Sequence, residues 1–566
     1  LSRKNRKSNN LQLIPLGGVG EIGKNMFILK YGRECIVMDA GLKFPDEAML
    51  GVDIVIPDIS FLLENDLKIL GIVLTHGHED HIGAMPYIIE ELKAPIYGTR
   101  LTLGLLKAKF MEHPVNSIQL NEINPDQKLV LSENFKLSFF RTNHSIPDSV
   151  GIAVETPVGT IVYTSDFKFD QTPVDGKITD YYKLAELGRN GVVAALIDST
   201  NADRPGYTFS EKEVGESINE IFRLSKSRII LATFASNIHR IQQVVDAAVR
   251  YERKVCVVGR SIVNSVDIST ELGYLNIPNG VLVDPDKVSD MPPDKIALIT
   301  TGSQGEPMSA LTRISQSEHR QVGIKPGDTV IIAANPIPGN EKLVARTVNN
   351  LYQLKAKVIY QPVSGVHVSG HGSEEEIKMM LNLLRPEHII PVHGEYRQQA
   401  NCSIIAQKLG ISEDKVFMAK PGNVMEFNDG KGRMAGSVAA GRVLVDGFGV
   451  GDVGEVVIRD RQMLSEDGIV IIIMVMDPEK NTVISGPEII TRGFVYVRES
   501  VDLIEGAKSE LLKITEDINQ KKLTEWNKIK SKVRDVASSY FYEHTGRKPM
   551  IMPIIIDIPT GNAKKQ

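Results

Sequence analysis

The run Thr75-His76-Gly77-His78-Glu79-Asp80-His81 restricts this chain more than any other stretch. The residues before it, Gly71 to Thr75, are rich in apolar side chains and read as a buried strand. From Ile82 onward (IGAMPYIIEEL) the spacing is that of an amphipathic helix. Three histidines and an aspartate therefore share one turn between strand and helix. That spacing points His76 and His78 the same way and turns Asp80 and His81 toward a second point. Imidazole nitrogen and carboxylate oxygen are the donors that zinc-like ions take. A polar helix start would explain one histidine there, not three within six residues.

The pattern of a strand ending on a polar residue recurs. Glu34 to Met38 leads to Asp39, and a carboxylate there can orient a ligand histidine from behind. FFRTNHSIPD places His144 after a strand, and IVYTSDFK does the same for Asp166, whose two oxygens can bridge two ions. Val192 to Ile197 leads to Asp198. The glycine-rich turn 17–23 (GGVGEIG) resembles a dinucleotide fingerprint only superficially, because NMFILK after it reads as a strand, not a helix.

From about Tyr207 to Gly365 the character changes. Strands at 228–233, 254–258, 296–300 and 329–333 each lead to a loop of small residues, which argues for a parallel sheet covered by helices. The loops at 234–240, 259–261, 301–307 and 334–339 offer backbone N–H groups to an anion. Metal-type residues then return in VHVSGHG, with His367 and His371, and in PVHGEY, with His393. A domain inserted into a metal-binding domain explains the split.

A chain of 566 residues exceeds one core. The boundaries read as a disordered basic arm at 1–10, a metal-binding domain at 11–206 and 366–445, and the insert at 207–365. A glycine-rich linker at 446–464 and a small α/β domain at 465–566 follow. No apolar run reaches membrane-spanning length. Cys35, Cys256 and Cys402 are scattered, which fits core thiols in a reducing, cytoplasmic setting. The net charge of −5 argues against nucleic-acid binding over the whole surface and leaves room for a local basic channel.

The series Asp39, HGHEDH, His144 and Asp166 resembles the metallo-β-lactamase superfamily, and Asp198, SGHG and PVHGEY resemble the further motifs of the β-CASP nucleases. Taken with GGVGEIGKN, FFRTNHSIPDS, DFKFD, FASNIHR, TGSQGEP and RGFVYVRES, the chain resembles the bacterial ribonuclease J family over nearly its whole length. The resemblance implies an αββα metallo-β-lactamase sandwich with an inserted α/β β-CASP domain and a C-terminal α/β domain. It implies two Zn2+ per subunit, with Mn2+ as the other choice. His76, His78 and His144 would hold one ion, Asp80, His81 and His393 the other, and Asp166 would bridge them. Asp80, Asp198 and His371 would serve catalysis. Ser236, Asn237, His367, Ser369, Gly370 and His371 would contact substrate phosphate. Gly51, Asp53 and Asp446 match a peripheral divalent-cation site. The family pattern TGDFK reads Thr164-Ser165-Asp166 here.

The implied activity is two-metal hydrolysis of RNA, 5′→3′ exonucleolytic and endonucleolytic, in RNA maturation and mRNA decay. Expected partners are single-stranded RNA with 5′-monophosphate ends and further subunits, as a homodimer, a homotetramer or a hetero-oligomer with a paralogue. No membrane is expected. A zinc hydrolase of small esters, or a non-catalytic scaffold in an RNA-degrading complex, are the alternatives. The first would need no inserted domain, and the second would need no complete ligand set.

Overall fold

The structure is a computed structural model that describes residues 10–116, 118–304, 309–334, 336, 340–360, 365–428, 430–477, 482–521 and 526–558. The basic arm and much of the anion-contact loops at 301–307 and 334–339 lie outside the described residues. Two compact units emerge, residues 1–44 with 54–443 and residues 45–53 with 444–566.

In the first unit two sheets face each other. Eight strands form one, in the order Lys431–Ser437, Asn423–Asn428, Leu11–Gly17, Met26–Tyr31, Glu34–Met38, Lys68–Val73, Ile96–Gly98 and Leu120–Glu122. Six form the other, in the order His388–Val392, Val192–Asp198, Gly159–Tyr163, Val150–Thr156, Lys136–Arg141 and Leu129–Val130. Strand side chains alternate between faces. Phe27, Leu29, Ile36, Met38 and Val73 of the first sheet therefore meet Leu137, Phe139, Ile152, Val154, Ile161 and Leu196 of the second in one core. Ala153, Val162, Ala195 and Ile197 point the other way, under the helices Tyr181–Asn190, Glu374–Leu384 and Tyr396–Lys408. Helix Arg100–Glu112 lies against the strands Ile96–Gly98 and Leu120–Glu122. This is the αββα order the resemblance implies.

Register explains how distant segments meet. His388–Val392 runs parallel to Val192–Asp198, with Asp198 opposite Val392. The chain leaves this sheet after Asp198 and returns beside it, so His393 emerges next to Asp198. The glycine-rich turn receives it: Gly18, Gly20 and Gly23 have φ of +72°, +68° and +83°, and the His393 N–H donates to the Gly18 carbonyl at 2.6 Å. Glycine tolerates that backbone where a side chain would be strained.

Between departure and return stands the inserted domain. Its five strands are all parallel, in the order Lys254–Val258, Ile296–Thr300, Ile229–Ala232, Thr329–Ile332 and Lys357–Ile359. Ile229 and Leu231 enter one core with the helices Glu211–Leu224, Ile238–Arg250 and Arg260–Glu271. Ile230 and Ala232 enter a second core with Ala310–Ser315 and Glu341–Gln353. A strand buried on both faces accounts for the continuous apolar runs in the sequence.

The fully buried Arg240 ties this domain to the returning chain. Its Nη2 donates to Glu211 Oε2 at 2.8 Å, and its Nη1 donates to the Val366 carbonyl at 2.8 Å and the Ala333 carbonyl at 3.2 Å. Burial opposes charge on Glu211, but Arg240 and Lys168 outweigh it and hold its carboxyl below the usual value. Glu211→Ala would strand a buried guanidinium, so it is expected to lower unfolding stability by about 3–5 kcal/mol, as read by urea denaturation near neutral pH. Because the folded pKa is depressed, the pair's contribution is complete above the ordinary glutamate range. It is lost as pH falls through the folded value, so wild type and variant should converge in acid.

In the second unit Ile469–Asp477 is the central strand, antiparallel to Thr482–Arg492 and parallel to Met550–Asp557. Val470, Ile472, Met474 and Met476 face the helices Val501–Lys521 and Trp526–Thr545. Ile490, Met552, Ile554 and Ile556 are exposed on the described surface. The sequence reading placed a linker over 446–464, but Glu455–Glu466 is a helix. The glycines end at Gly454 and the next twelve residues contain neither glycine nor proline, so nothing in them breaks a helix. No helix among the described residues is long and apolar enough to cross a membrane.

Candidate metal centre

Each donor follows the C-terminal end of a strand. His76 and His78 follow Lys68–Val73, His144 follows Lys136–Arg141, Asp166 follows Gly159–Tyr163 and His393 follows His388–Val392. His78 is extended and caps the four-residue helix Glu79–Ile82, which turns Asp80 and His81 away from it. The donor atoms of His76, His78, His144 and Asp166 lie within 4.8 Å of one another, as do those of Asp80, His81, Asp166 and His393. Asp166 belongs to both groups. Its Oδ2 lies 3.6 Å from His76 Nε2 and 3.4 Å from His144 Nε2, while its Oδ1 lies 3.4 Å from His81 Nε2 and 3.0 Å from His393 Nδ1. One carboxylate thus presents one oxygen to each group.

The donor chemistry fits two cations. His144 Nδ1 donates to the Gly370 carbonyl at 2.8 Å, and a carbonyl can only accept, so neutral His144 turns a lone pair at Nε2 toward Asp166. His81 Nδ1 donates to Asp39 Oδ2 at 2.7 Å, so once His81 gives up its second proton Nε2 is left as a lone pair facing the oxygens of Asp166 and Asp80. His393 Nε2 is buried and 2.9 Å from Asp80 Oδ2, yet its angle makes no hydrogen bond. The short separation and the missing bond agree on a nitrogen and an oxygen aimed at a shared point. Electron pairs converging in a buried place call for a positive charge between them.

Charge differs between the groups. Burial, the largest influence, keeps His76 and His144 well below their usual pKa and brings His78 down to about 4. Burial also opposes charge on His81 and His393, but Asp166 leads the carboxylates that lift His81 well above its usual value and His393 to about 10. Burial pushes Asp166 up, but His393, His81 and His371 together hold it well below the carboxylate range. The first group is ready as neutral donors, whereas the second exchanges protons for metal.

Asp39, at φ +59°, supports this arrangement without facing the cations. Besides His81 it accepts from the Thr75 N–H at 2.8 Å, the Thr75 hydroxyl and the Tyr163 hydroxyl at 2.9 Å. Asp39→Ala is expected to weaken metal binding at the His81 position by about 10- to 100-fold, measured by calorimetric titration of the metal-free protein. Ser165 sits at φ +55°, which explains why glycine suits this place in the family pattern. Its hydroxyl lies 3.3 Å from His76 Nδ1, a contact glycine cannot offer.

Beside the two groups His371 Nδ1 donates to Asp198 Oδ2 at 2.8 Å and lies 3.9 Å from Asp166 Oδ2. Burial opposes charge on His371, and Asp198 and Asp166 overcome it and raise its pKa. Its side chain retains 18% exposure, so it opens toward solvent. Ser369 Oγ accepts from Asn201 Nδ2 at 2.8 Å and from the His371 N–H at 3.2 Å. A Cβ on Gly370 would come 2.6 Å from the His144 ring, so this close approach requires glycine. His367 is pushed down to about 4 by burial and then by Arg240. Asn237 Oδ1 caps the helix Ile238–Arg250 by accepting from the Arg240 N–H, and Ser236 lies in the turn before it. Arg240, by binding the Val366 carbonyl, holds that first turn near the 367–371 loop.

At the expected peripheral site, the carboxylates of Asp53 and Asp446 are both engaged by groups of the protein. Arg461 binds Asp446 Oδ2 through Nη2 at 2.5 Å and the Leu50 carbonyl through Nη1 at 2.9 Å, and Asp53 accepts from the Gly447 N–H at 2.8 Å. A cation taking Asp446 Oδ2 would compete with that guanidinium. Sequence reasoning missed Tyr163, Asn201, Thr208 and Glu376. The buried Glu376 accepts from the backbone N–H groups of Phe169, Thr208 and Ser373, at 2.8, 2.7 and 2.9 Å. Its signal was the Ser373-Glu374-Glu375-Glu376 capping box.

Comparison with known proteins agrees with this geometry. The family model described as metallo-beta-lactamase superfamily matches residues 19–231, and that for the ribonuclease J beta-CASP domain matches residues 226–351. A Zn-dependent metallo-hydrolase RNA specificity domain matches 355–416, and the ribonuclease J C-terminal domain matches 456–558. The chain is 45% identical to Ribonuclease J2 of Bacillus subtilis strain 168 over 556 residues, covering 98% of this chain and 100% of that one. It is 42% identical to Ribonuclease J 2 of Staphylococcus aureus strain MRSA252 over 554 residues, covering 98% and 99%. A crystal structure of a protein of unknown function from Enterococcus faecalis V583 shares the fold, with a TM-score of 0.54 at 14% identity over 74% of this chain and all of that one. With its ligand groups formed and its relatives aligned nearly end to end, this chain belongs to the ribonuclease J family.

Proposed function

We propose that the protein hydrolyses phosphodiesters of single-stranded RNA, as a 5′→3′ exonuclease and an endonuclease, in RNA maturation and mRNA decay. The observation that carries the reading is Asp166, with one oxygen toward each ligand group and the His371–Asp198 pair alongside. Two divalent ions, zinc in the first place and manganese as the other choice, supply charge neutralisation and water activation at neutral pH. His76, His78 and His144 would hold one, Asp80, His81 and His393 the other, with an oxygen of Asp166 turned toward each. Water oxygen bonds to phosphorus and releases a proton to solvent as the bond from phosphorus to the 3′-oxygen breaks. His371, its pKa raised against burial by Asp198 and Asp166, gives its proton to that 3′-oxygen or stabilises its charge. The products are a 3′-hydroxyl and a 5′-phosphate. Ser236, Asn237, His367, Ser369 and Gly370 border the phosphates on either side.

The finer reading is a preference for 5′-monophosphate ends, a cytoplasmic setting, and self-association or pairing with a paralogue. The exposed Ile490, Met552, Ile554 and Ile556 of the C-terminal sheet support association. Ile554→Lys is expected to shift the protein toward monomer in sedimentation velocity.

The decisive experiment incubates metal-loaded protein with RNA bearing 5′-monophosphate, 5′-triphosphate or 5′-hydroxyl ends and maps the products. Nucleoside 5′-monophosphates released from the monophosphate substrate support the proposal. Hydrolysis of a thioester but no RNA assigns the site to small esters. A protein that takes up no metal and is unchanged by His76→Ala is a scaffold.

A further inference from the structure

After Asp198 the segment Ser199–Ser210 runs along the catalytic loop and is pinned to it from both sides. Asn201 Nδ2 donates to the His371 carbonyl at 2.9 Å as well as to Ser369 Oγ. Thr208 Oγ1 donates to the same His371 carbonyl at 2.8 Å, and its N–H donates to Glu376 Oε2. The Phe209 carbonyl accepts from the buried Lys168 at 3.1 Å. Yet the two aromatic side chains on this fixed backbone are 63% exposed at Tyr207 and 67% exposed at Phe209.

Both line a cleft of about 220 Å³, with Arg204, Thr208, His367 and Ser369 among its other walls. None of the residues lining it is a carboxylate, and Arg204 is its exposed cation. A single exposed aromatic needs no explanation. Two on a pinned segment, in a cleft continuous with the loop that carries His371, form a platform. Aromatic rings that share a cleft with hydroxyls and a guanidinium suit a flat ring carrying a phosphate, not an apolar peptide. Base stacking on such side chains is strong and tolerant of sequence, because every base has a π face.

We infer that Tyr207 and Phe209 stack a nucleobase of the substrate strand close to the scissile linkage, with Arg204 on the adjoining phosphate. The inference rests on the ribonuclease reading and adds a subsite to it. The subsite fixes the register of the strand by stacking rather than by base identity.

The test uses 5′-monophosphorylated oligoribonucleotides, one intact and a series with a single abasic nucleotide moved along the strand. Rates of shortening are compared for the full-length metal-loaded wild type, Tyr207→Ala, Phe209→Ala, Tyr207→Phe and, as a remote control, Tyr352→Ala. Wild type is expected to lose about tenfold in kcat/KM when the abasic nucleotide occupies one register position. Each alanine variant is expected to lose about tenfold on intact RNA and little more when that base is absent, whereas Tyr207→Phe and Tyr352→Ala behave as wild type. This non-additivity at one position cannot come from a general folding defect, which slows every substrate alike. Additive losses at every position, with wild type active, overturn the subsite and leave the ribonuclease reading standing. A wild type that shortens none of the oligomers overturns both.

Discussion

Asp166→Ala is expected to vacate both metal positions together and to lower RNA hydrolysis by more than about a thousandfold. His144 belongs only to the group with His76 and His78, so His144→Ala should spare the Asp80–His81–His393 group. Asp166 alone gives an oxygen to each. Its loss also removes the largest influence that raises His81 and His393, so the pKa of each would fall. Metal content measured by atomic emission should fall below one ion per chain in the variant. Retention of a full complement would show that the carboxylate does not bridge.

His371→Ala is expected to slow hydrolysis by about 100- to 10,000-fold while metal content stays at the wild-type level, because His371 is a donor of neither the His76–His78–His144 nor the Asp80–His81–His393 group, although its ring closes a third cluster with Asp166, Asp198 and His393. The pH profile separates a proton donor from a structural residue. Asp198 and Asp166 raise the His371 pKa against burial, so the donor stays charged to a higher pH than an ordinary histidine and the rate falls as pH rises through that value. Asp198→Asn removes the leading raising influence, so the falling limb should move to lower pH with metal content unchanged. A limb that does not move would show that another group sets it.

Much of the site was legible because strand ends announce themselves. Asp39, His144, Asp166, Asp198 and His393 each follow an apolar run, and the structure brings all five to one edge of the sandwich. The two-way split within HGHEDH was legible from spacing, since one extended residue before a short helix turns the helix's first side chains the other way. Support from a distance was not legible. Nothing in the sequence around Tyr163 points its hydroxyl at Asp39, because that contact depends on how the two sheets face each other. At Gly51, Asp53 and Asp446, residue types alone did not show that an arginine would bind the Asp446 carboxylate. The helix Glu455–Glu466 buries none of its residues, so the apolar periodicity that betrays most helices is faint there.

The return of His388–Val392 beside Val192–Asp198 also dictates when the enzyme comes into being during synthesis. A nascent polypeptide still short of residue 388 already holds His76, His78, His144 and Asp166, but it has neither His393 nor a filled sheet edge beside Asp198. The ribosome therefore finishes the entire insert before a destructive centre can close, and a prematurely terminated product would carry no complete cutting apparatus among the transcripts around it.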